Sequence, residues 1–347
     1  MISIGNIKIS TRVLGSGSYS TVLEGEEYKT NGKNSESPST IVKKVAIKKF
    51  REDDRKNFIA EKSILTLLVM KHENILRFKE SFEMKLGTSM YYFIVFPLYD
   101  ISLYKYSNDY LLSVNQIKFI TKSIASGLHH LNSCNVLHAD LKPANILLKI
   151  ESGIISKVVI CDFSNSLPFY SAEINDYINN PLCTSWYRPP EQIILNTHTK
   201  TFGDVWSLGC ILFDIVCSCN LFNVSCSDRK SENINLLYNF QKLIGELPYK
   251  DKFYFTNDVL NNLLDNEKLY IDYKGDLRSY FWKKLKSDYN KSQQNELIDY
   301  LEIIAKCLVL LPEERIKLND LIKDKWVNNL IINETKYEMK RKADQMN

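Results

Sequence analysis

The segment His138-Ala139-Asp140-Leu141-Lys142-Pro143-Ala144-Asn145 sets a carboxylate, an ammonium and a carboxamide close together in the chain. Their order suits phosphoryl transfer. Asp140 can orient a hydroxyl and accept its proton, Lys142 can sit against the moving phosphoryl group, and Asn145 can ligate a magnesium ion. Taken alone, an Asp-x-x-x-x-Asn pair is as readily a turn whose side chains bond their own backbone. The flanking runs Asn135-Val136-Leu137 and Ile146-Leu147-Leu148 are short and apolar, which suits buried strands that hold such a loop rigid.

Such chemistry needs elements that hold a nucleotide, and the chain supplies candidates in order. Val13-Leu14-Gly15-Ser16-Gly17-Ser18-Tyr19-Ser20-Thr21-Val22 reads as two strands joined by a glycine-rich hairpin whose backbone N–H groups can cover phosphates. Ser20 stands where the third glycine of the usual pattern falls. Val45-Ala46-Ile47-Lys48 is a β-branched strand bearing one lysine. Residues Arg51 to Met70 read as a helix with Phe58, Ile59, Ile64, Leu65, Leu67 and Leu68 at mixed helical spacings, and with Glu61 placed to hold the Lys48 ammonium toward phosphates. Singly, each has a bland reading: a turn, a solvated strand lysine, an exposed helix carboxylate. The strand-to-helix connection is also short. Val158-Val159-Ile160-Cys161-Asp162-Phe163-Ser164 then gives an apolar strand ending in a carboxylate, a second candidate metal ligand. Ser164 occupies a position where glycine would give φ freedom, so flipping of Phe163 should be harder.

Cys183-Thr184-Ser185-Trp186-Tyr187-Arg188-Pro189-Pro190-Glu191 and Asp204-Val205-Trp206-Ser207-Leu208-Gly209 complete the series. From about Leu14 to Trp326 the chain resembles a eukaryotic protein kinase, and its Trp-Tyr-Arg-Pro-Pro-Glu is similar to the CMGC group. Ile244-Gly245-Glu246-Leu247-Pro248, Gly275-Asp276-Leu277-Arg278 and Leu311-Pro312-Glu313-Glu314-Arg315 with Asp324-Lys325-Trp326 look most like SR-protein kinases. The segment Val95 to Tyr104 resembles the dual-specificity tyrosine-regulated and LAMMER branches.

The resemblance implies an α+β fold of two lobes: a β-rich lobe over residues 1–97 with a mobile polar loop at 29–44, a larger helical lobe over 98–332, and a charged tail at 333–347. It implies ATP and Mg2+ as cofactors and Ser/Thr of proteins as substrate, with Arg/Ser-rich splicing-type proteins as one candidate class. A catalytically weak pseudokinase scaffold and a dual-specificity kinase preferring Ser-Pro sites are the alternatives. Adenine would take the Pro97 carbonyl and the Tyr99 N–H, with Phe96 as gatekeeper and Leu14, Val22, Ala46 and Leu147 as an apolar sandwich. Glu191 and Arg315 would form a buried ion pair, Asp204 would accept catalytic-loop N–H groups, and Arg188 would bond locally. Many kinases carry arginine where Ala139 stands, and that arginine pairs with a phosphate on the activation segment; its replacement implies activity without that phosphate.

Composition bounds the rest. A chain of 347 residues, 44% hydrophobic, can bury a large core. Eight cysteines without a Cys-x-x-Cys pair read as reduced thiols, so an intracellular protein of cytoplasm or nucleus is expected. No signal-peptide stretch or membrane-length run is present. The formal charge of +4 with interspersed signs gives no case for nucleic-acid binding, and a monomer is expected. Lys340-Arg341-Lys342 in the tail is a nuclear-targeting candidate that is more often only a solvated end.

Overall fold

The computed structural model describes residues 2–17, 19–28, 41–68, 71–169, 184–194, 202–224, 229–245 and 275–329. Ser18, Cys183, Glu246, loop residues 29–40 and the tail 333–347 lie outside them. The chain divides into two compact units, Met1–Asp100 with Cys161–Ser164, and Ile101–Ile160 with Asn165–Asn347. The first unit thus extends past Pro97 and takes in a short segment that the sequence assigned to the region 98–332.

The first unit is built on a six-stranded antiparallel sheet in the order β1-β2-β3-β4-β6-β5. These strands are β1 Ile2–Ile4, β2 Ile7–Ser16, β3 Ser20–Tyr28, β4 Ile41–Phe50, β5 Glu80–Leu86 and β6 Ser89–Pro97. Strand side chains alternate between faces, and β4 uses both. Val45 and Ile47 join Ile7, Ile9, Phe93 and Val95 in one apolar cluster. Ala46, Lys48 and Phe50 share the other face, where the Phe50 ring meets Phe58 of helix α1 (Arg55–Leu67) at 5.8 Å. Two sequence boundaries need correction here. β4 begins at Ile41, so residues 41–44 are ladder and not loop, with Lys43 and Lys44 registered against Glu27 and Glu26. The helix expected from Arg51 begins at Arg55, after a 3-10 turn over Glu52–Asp54. Phe58, Glu61, Ile64 and Leu65 form its buried stripe, while Ile59 and Leu67 are exposed.

The second unit is mainly helical. The longest helix among the described residues, α3 (Val114–Ser133), follows α2 (Leu103–Asp109) and opens with a capping box between Ser113 and Gln116. Small antiparallel ladders carry the catalytic segment. β8 (Val136–Leu137) pairs with β11 (Leu167–Pro168), and β9 (Ile146–Glu151) pairs with β10 (Ile154–Ile160) and with β7 (Ile101–Ser102). The short helix α4 (Glu191–Ile194) precedes α5 (Phe202–Cys217), which is apolar almost all round and forms the centre of the unit. A Cβ on Gly209 of α5 would come within 2.8 Å of Cys307 and Leu308, so only glycine lets α8 (Lys291–Cys307) pack so closely. Between them run α6 (Arg229–Leu243) and α7 (Leu277–Lys284), and α9 (Leu318–Ile322) and α10 (Lys325–Asn328) close the described chain.

Candidate active site

In the first unit the hairpin between β2 and β3 is closed by the Gly17 N–H donating to the Ser20 carbonyl at 2.9 Å. A Cβ on Gly15 would meet nothing within 4 Å, so the backbone there is open to a ligand's close approach. Ser16 and Ser20 lie in the strands, registered against Thr21 and Phe50. Ser20 therefore sits in ordinary extended backbone, and its departure from glycine needs no special conformation. Leu14 and Tyr19 are exposed and Val22 half-buried. Ala46 is registered against Phe96, whose side chain is buried, and β6 ends at Pro97 with Tyr99 half-buried just beyond. Ala46 and Phe96 are thus paired across the adjacent inner strands β4 and β6, with Tyr99 just past the strand end.

Lys48 is the electrostatic centre of this unit. Its Nζ lies 2.6 Å from a Glu61 carboxylate oxygen and 2.7 Å from Asp162 Oδ1. Burial alone would lower the pKa of this ammonium, but Glu61 and Asp162 outweigh it and hold the pKa above its ordinary value, so Lys48 is a fixed cation. The short connection between strand and helix proves sufficient because α1 presents Glu61 on its buried stripe. Asp162 adopts a left-handed backbone, φ 64°, and its side chain is 38% exposed where Glu61 is 1% exposed. Ser164, in place of glycine, donates its hydroxyl to Asp162 Oδ1 at 2.7 Å.

In the second unit the loop His138–Asn145 is fixed from beneath. The Asp204 carboxylate on α5 accepts the N–H of His138 at 2.8 Å and of Ala139 at 3.1 Å, as expected, and the Ser166 hydroxyl donates to the His138 carbonyl at 3.0 Å. Ala139 has φ 69°. Lys142 Nζ donates to Asp140 Oδ2 at 2.7 Å, and Asn145 Nδ2 donates to the Asp140 carbonyl at 2.8 Å, which fixes the carboxamide with its oxygen turned away from that bond. Leu147 follows on β9, half-buried. The residue the sequence reading passed over is Thr184. Its N–H and hydroxyl donate to Asp140 Oδ1 at 3.0 and 3.1 Å, and its Oγ accepts from Lys142 at 3.0 Å. A contact across 44 positions leaves no local pattern; only its place ahead of the Ser185–Glu191 motif marked it.

That motif is anchored from both ends. Tyr187 donates its hydroxyl at 2.7 Å to Asp214, a carboxyl pushed up to about 8 by burial, and its carbonyl accepts from Ser207. Arg188 is buried and bonds Asn233 at 2.7 Å, with Glu232 at 3.7 Å, both on α6. Arg315 holds Glu191 through two bonds of 2.6 and 2.5 Å, confirming the buried pair.

A glycine-bearing hairpin within a sheet, a lysine clamped by a helix carboxylate, and an Asp/Lys/Asn loop on a helical unit are the parts of an ATP-using phosphotransferase of the kinase fold. The protein kinase domain model matches residues 9–327, and the chain belongs to the protein kinase family. Mitogen-activated protein kinase 6 of Arabidopsis thaliana is 27% identical over 324 residues, covering 91% of this chain and 72% of that protein. A "probable cell division protein kinase" of Encephalitozoon cuniculi is 31% identical over 210 residues, 59% of this chain and 69% of its own. Mitogen-activated protein kinase mpk-1 of Caenorhabditis elegans is 34% identical over 185 residues, 52% of this chain and 40% of its own. The chain is a serine/threonine protein kinase of the CMGC group.

Proposed function

We propose that this kinase transfers the ATP γ-phosphoryl group to Ser or Thr of Arg/Ser-rich proteins inside the cell. The observation that carries the chemistry is the Asp140 carboxylate, with Lys142 on one oxygen and Thr184 on the other. Asp140 orients the incoming hydroxyl and takes its proton, Lys142 offsets charge on the transferring group, and Lys48, held by Glu61, binds nucleotide phosphates. The half-exposed Asp162 carboxylate in the first unit and the Asn145 carboxamide in the second are each a hard oxygen donor of the kind Mg2+ takes, and the ion would neutralise phosphate charge. Leu14, Gly15, Ser16, Gly17, Tyr19, Ser20, Val22, Ala46, Phe96, Pro97, Tyr99 and Leu147 are assigned to nucleotide binding.

The substrate reading rests on the likeness of the C-terminal motifs to SR-protein kinases. Asp276, a candidate ligand for basic residues, is exposed but caps α7 through the Ser279 N–H at 2.9 Å, so its carboxylate already has a structural use. Glu232, beside Arg188, remains partly exposed. A peptide array incubated with Mg-ATP tests the reading. Labelling should concentrate on serines in arginine-rich peptides; labelling confined to Ser-Pro peptides would replace this substrate class with a proline-directed one.

Regulation follows from Ala139, whose methyl group offers no charge to a phosphate. The purified protein is expected to keep most of its activity after phosphatase treatment, measured as peptide phosphorylation. Near-complete loss would show that another cation reads an activation phosphate.

A further inference from the structure

The Ser164 hydroxyl bonds a candidate metal ligand of the first unit, Asp162, and it does so at a position that would be glycine in the usual pattern. Three observations give it meaning. Asp162 Oδ1 accepts from two donors, Lys48 Nζ at 2.7 Å and Ser164 Oγ at 2.7 Å. Asp162 sits at φ 64°, a backbone region an L-residue adopts only when its surroundings hold it there. Ser164 is not among the residues with positive φ, so its side chain strains nothing, and Phe163 between them is buried at 1% exposure.

A glycine at position 164 would take away one of the two donors from which Asp162 Oδ1 accepts here. The hydroxyl narrows the carboxylate's choices, because a bond from residue i+2 back to it favours one rotamer and one oxygen. Preset donors bind a cation more tightly, since the ordering is complete before the ion arrives.

We propose that Ser164 is a positioning residue that presets the Asp162 carboxylate for the divalent cation arriving with the nucleotide. The proposal rests on the kinase reading of the site, and it makes the departure from glycine an adaptation of metal affinity and not a sign of lost activity.

The test uses the full chain and a non-hydrolysable ATP analogue, with binding followed by calorimetry as Mg2+ is titrated and again in excess chelator. Ser164→Ala is expected to raise the Mg2+ concentration for half-maximal binding about three- to tenfold, the range for losing one hydrogen bond to a charged, partly exposed group. Analogue affinity in chelator should be unchanged. Ser164→Thr, which keeps the hydroxyl, should stay close to the parent, and Ser164→Gly should fall with the alanine variant. Both small variants place an ordinary residue in ordinary backbone, so they should melt with the parent. A Ser164→Ala protein with the parental Mg2+ midpoint, or one weakened equally with and without Mg2+, would overturn the proposal while leaving the nucleotide site standing. A parent protein that bound no analogue under either condition would overturn the reading on which it rests.

Discussion

Asp140→Asn is expected to lower kcat for peptide phosphorylation by about 10²–10⁴-fold, the span associated with a positioned general base. The substitution preserves shape, so the loss isolates charge and proton acceptance. In the parent, Oδ2 accepts from Lys142 at 2.7 Å and Oδ1 accepts both donors of Thr184. An amide nitrogen on either side would turn donor against donor, and one of these bonds must break. Lys48, assigned to the nucleotide phosphates, and Asp162, assigned to Mg2+, belong to the other compact unit and keep their ion pair. Nucleotide affinity should therefore stay close to the parent's while turnover collapses. Steady-state peptide kinetics together with a nucleotide titration would check this. A variant retaining a large share of parental kcat would remove Asp140 from the role of base; one that lost nucleotide affinity in step with turnover would show that the substitution acts by disturbing the fold.

Where the sequence was legible, a polar residue interrupted an apolar pattern. Lys48 breaks the run Val45-Ala46-Ile47, and Glu61 lies on the stripe of Phe58, Ile64 and Leu65; both are buried because each is the other's partner. Asp162 follows the apolar strand β10 and pairs with Lys48, and Asp204 lies in the first turn of an apolar helix, where it accepts the His138 N–H. Thr184 had no such mark. A hydroxyl in a polar segment is unremarkable until the chain returns it to Asp140. The same holds for Asp214, which meets Tyr187 only through folding. Boundaries failed where local signals conflicted. Ile41 and Val42 suit a strand although two lysines follow a polar stretch, and Lys43 and Lys44 can ladder because Glu27 and Glu26 face them across the sheet, with Lys44 bonding Glu24 at 3.1 Å. Glu52–Asp54 takes a 3-10 turn in which Asp54 meets Arg51 at 3.2 Å, delaying the α-helix to Arg55. At Ser164 the residue type suggests only a restriction on the backbone, whereas its hydroxyl makes the informative contact.

The largest stability effect is expected at Arg315→Leu. Arg315 and Glu191 have side chains essentially without solvent exposure, and every edge of the guanidinium is used: Nη1 and Nη2 on the carboxylate, Nε on the Val309 carbonyl at 2.8 Å, and the face over the Trp206 ring at 5.1 Å. Leucine would strand the Glu191 carboxylate among apolar neighbours with no cation to offset its desolvation, a loss of about 3–5 kcal/mol. For a unit of this size the melting temperature should fall on the order of 10 °C. The pair's net worth is a separate question, because removing two buried charges together avoids the stranded one. The double variant Glu191→Leu with Arg315→Leu should therefore recover much of the single variant's loss. Its kinetics would then show what the pair does for function. Glu191 begins α4 directly after the Ser185–Pro190 segment that Thr184 ties to Asp140, so a refolded double variant with weakened peptide KM would show that Arg315 fixes the substrate segment. Parental KM with lowered stability would confine the pair to holding the fold, and a double variant as unstable as Arg315→Leu would show that the bonds to Val309 and Trp206, more than the stranded carboxylate, account for the loss.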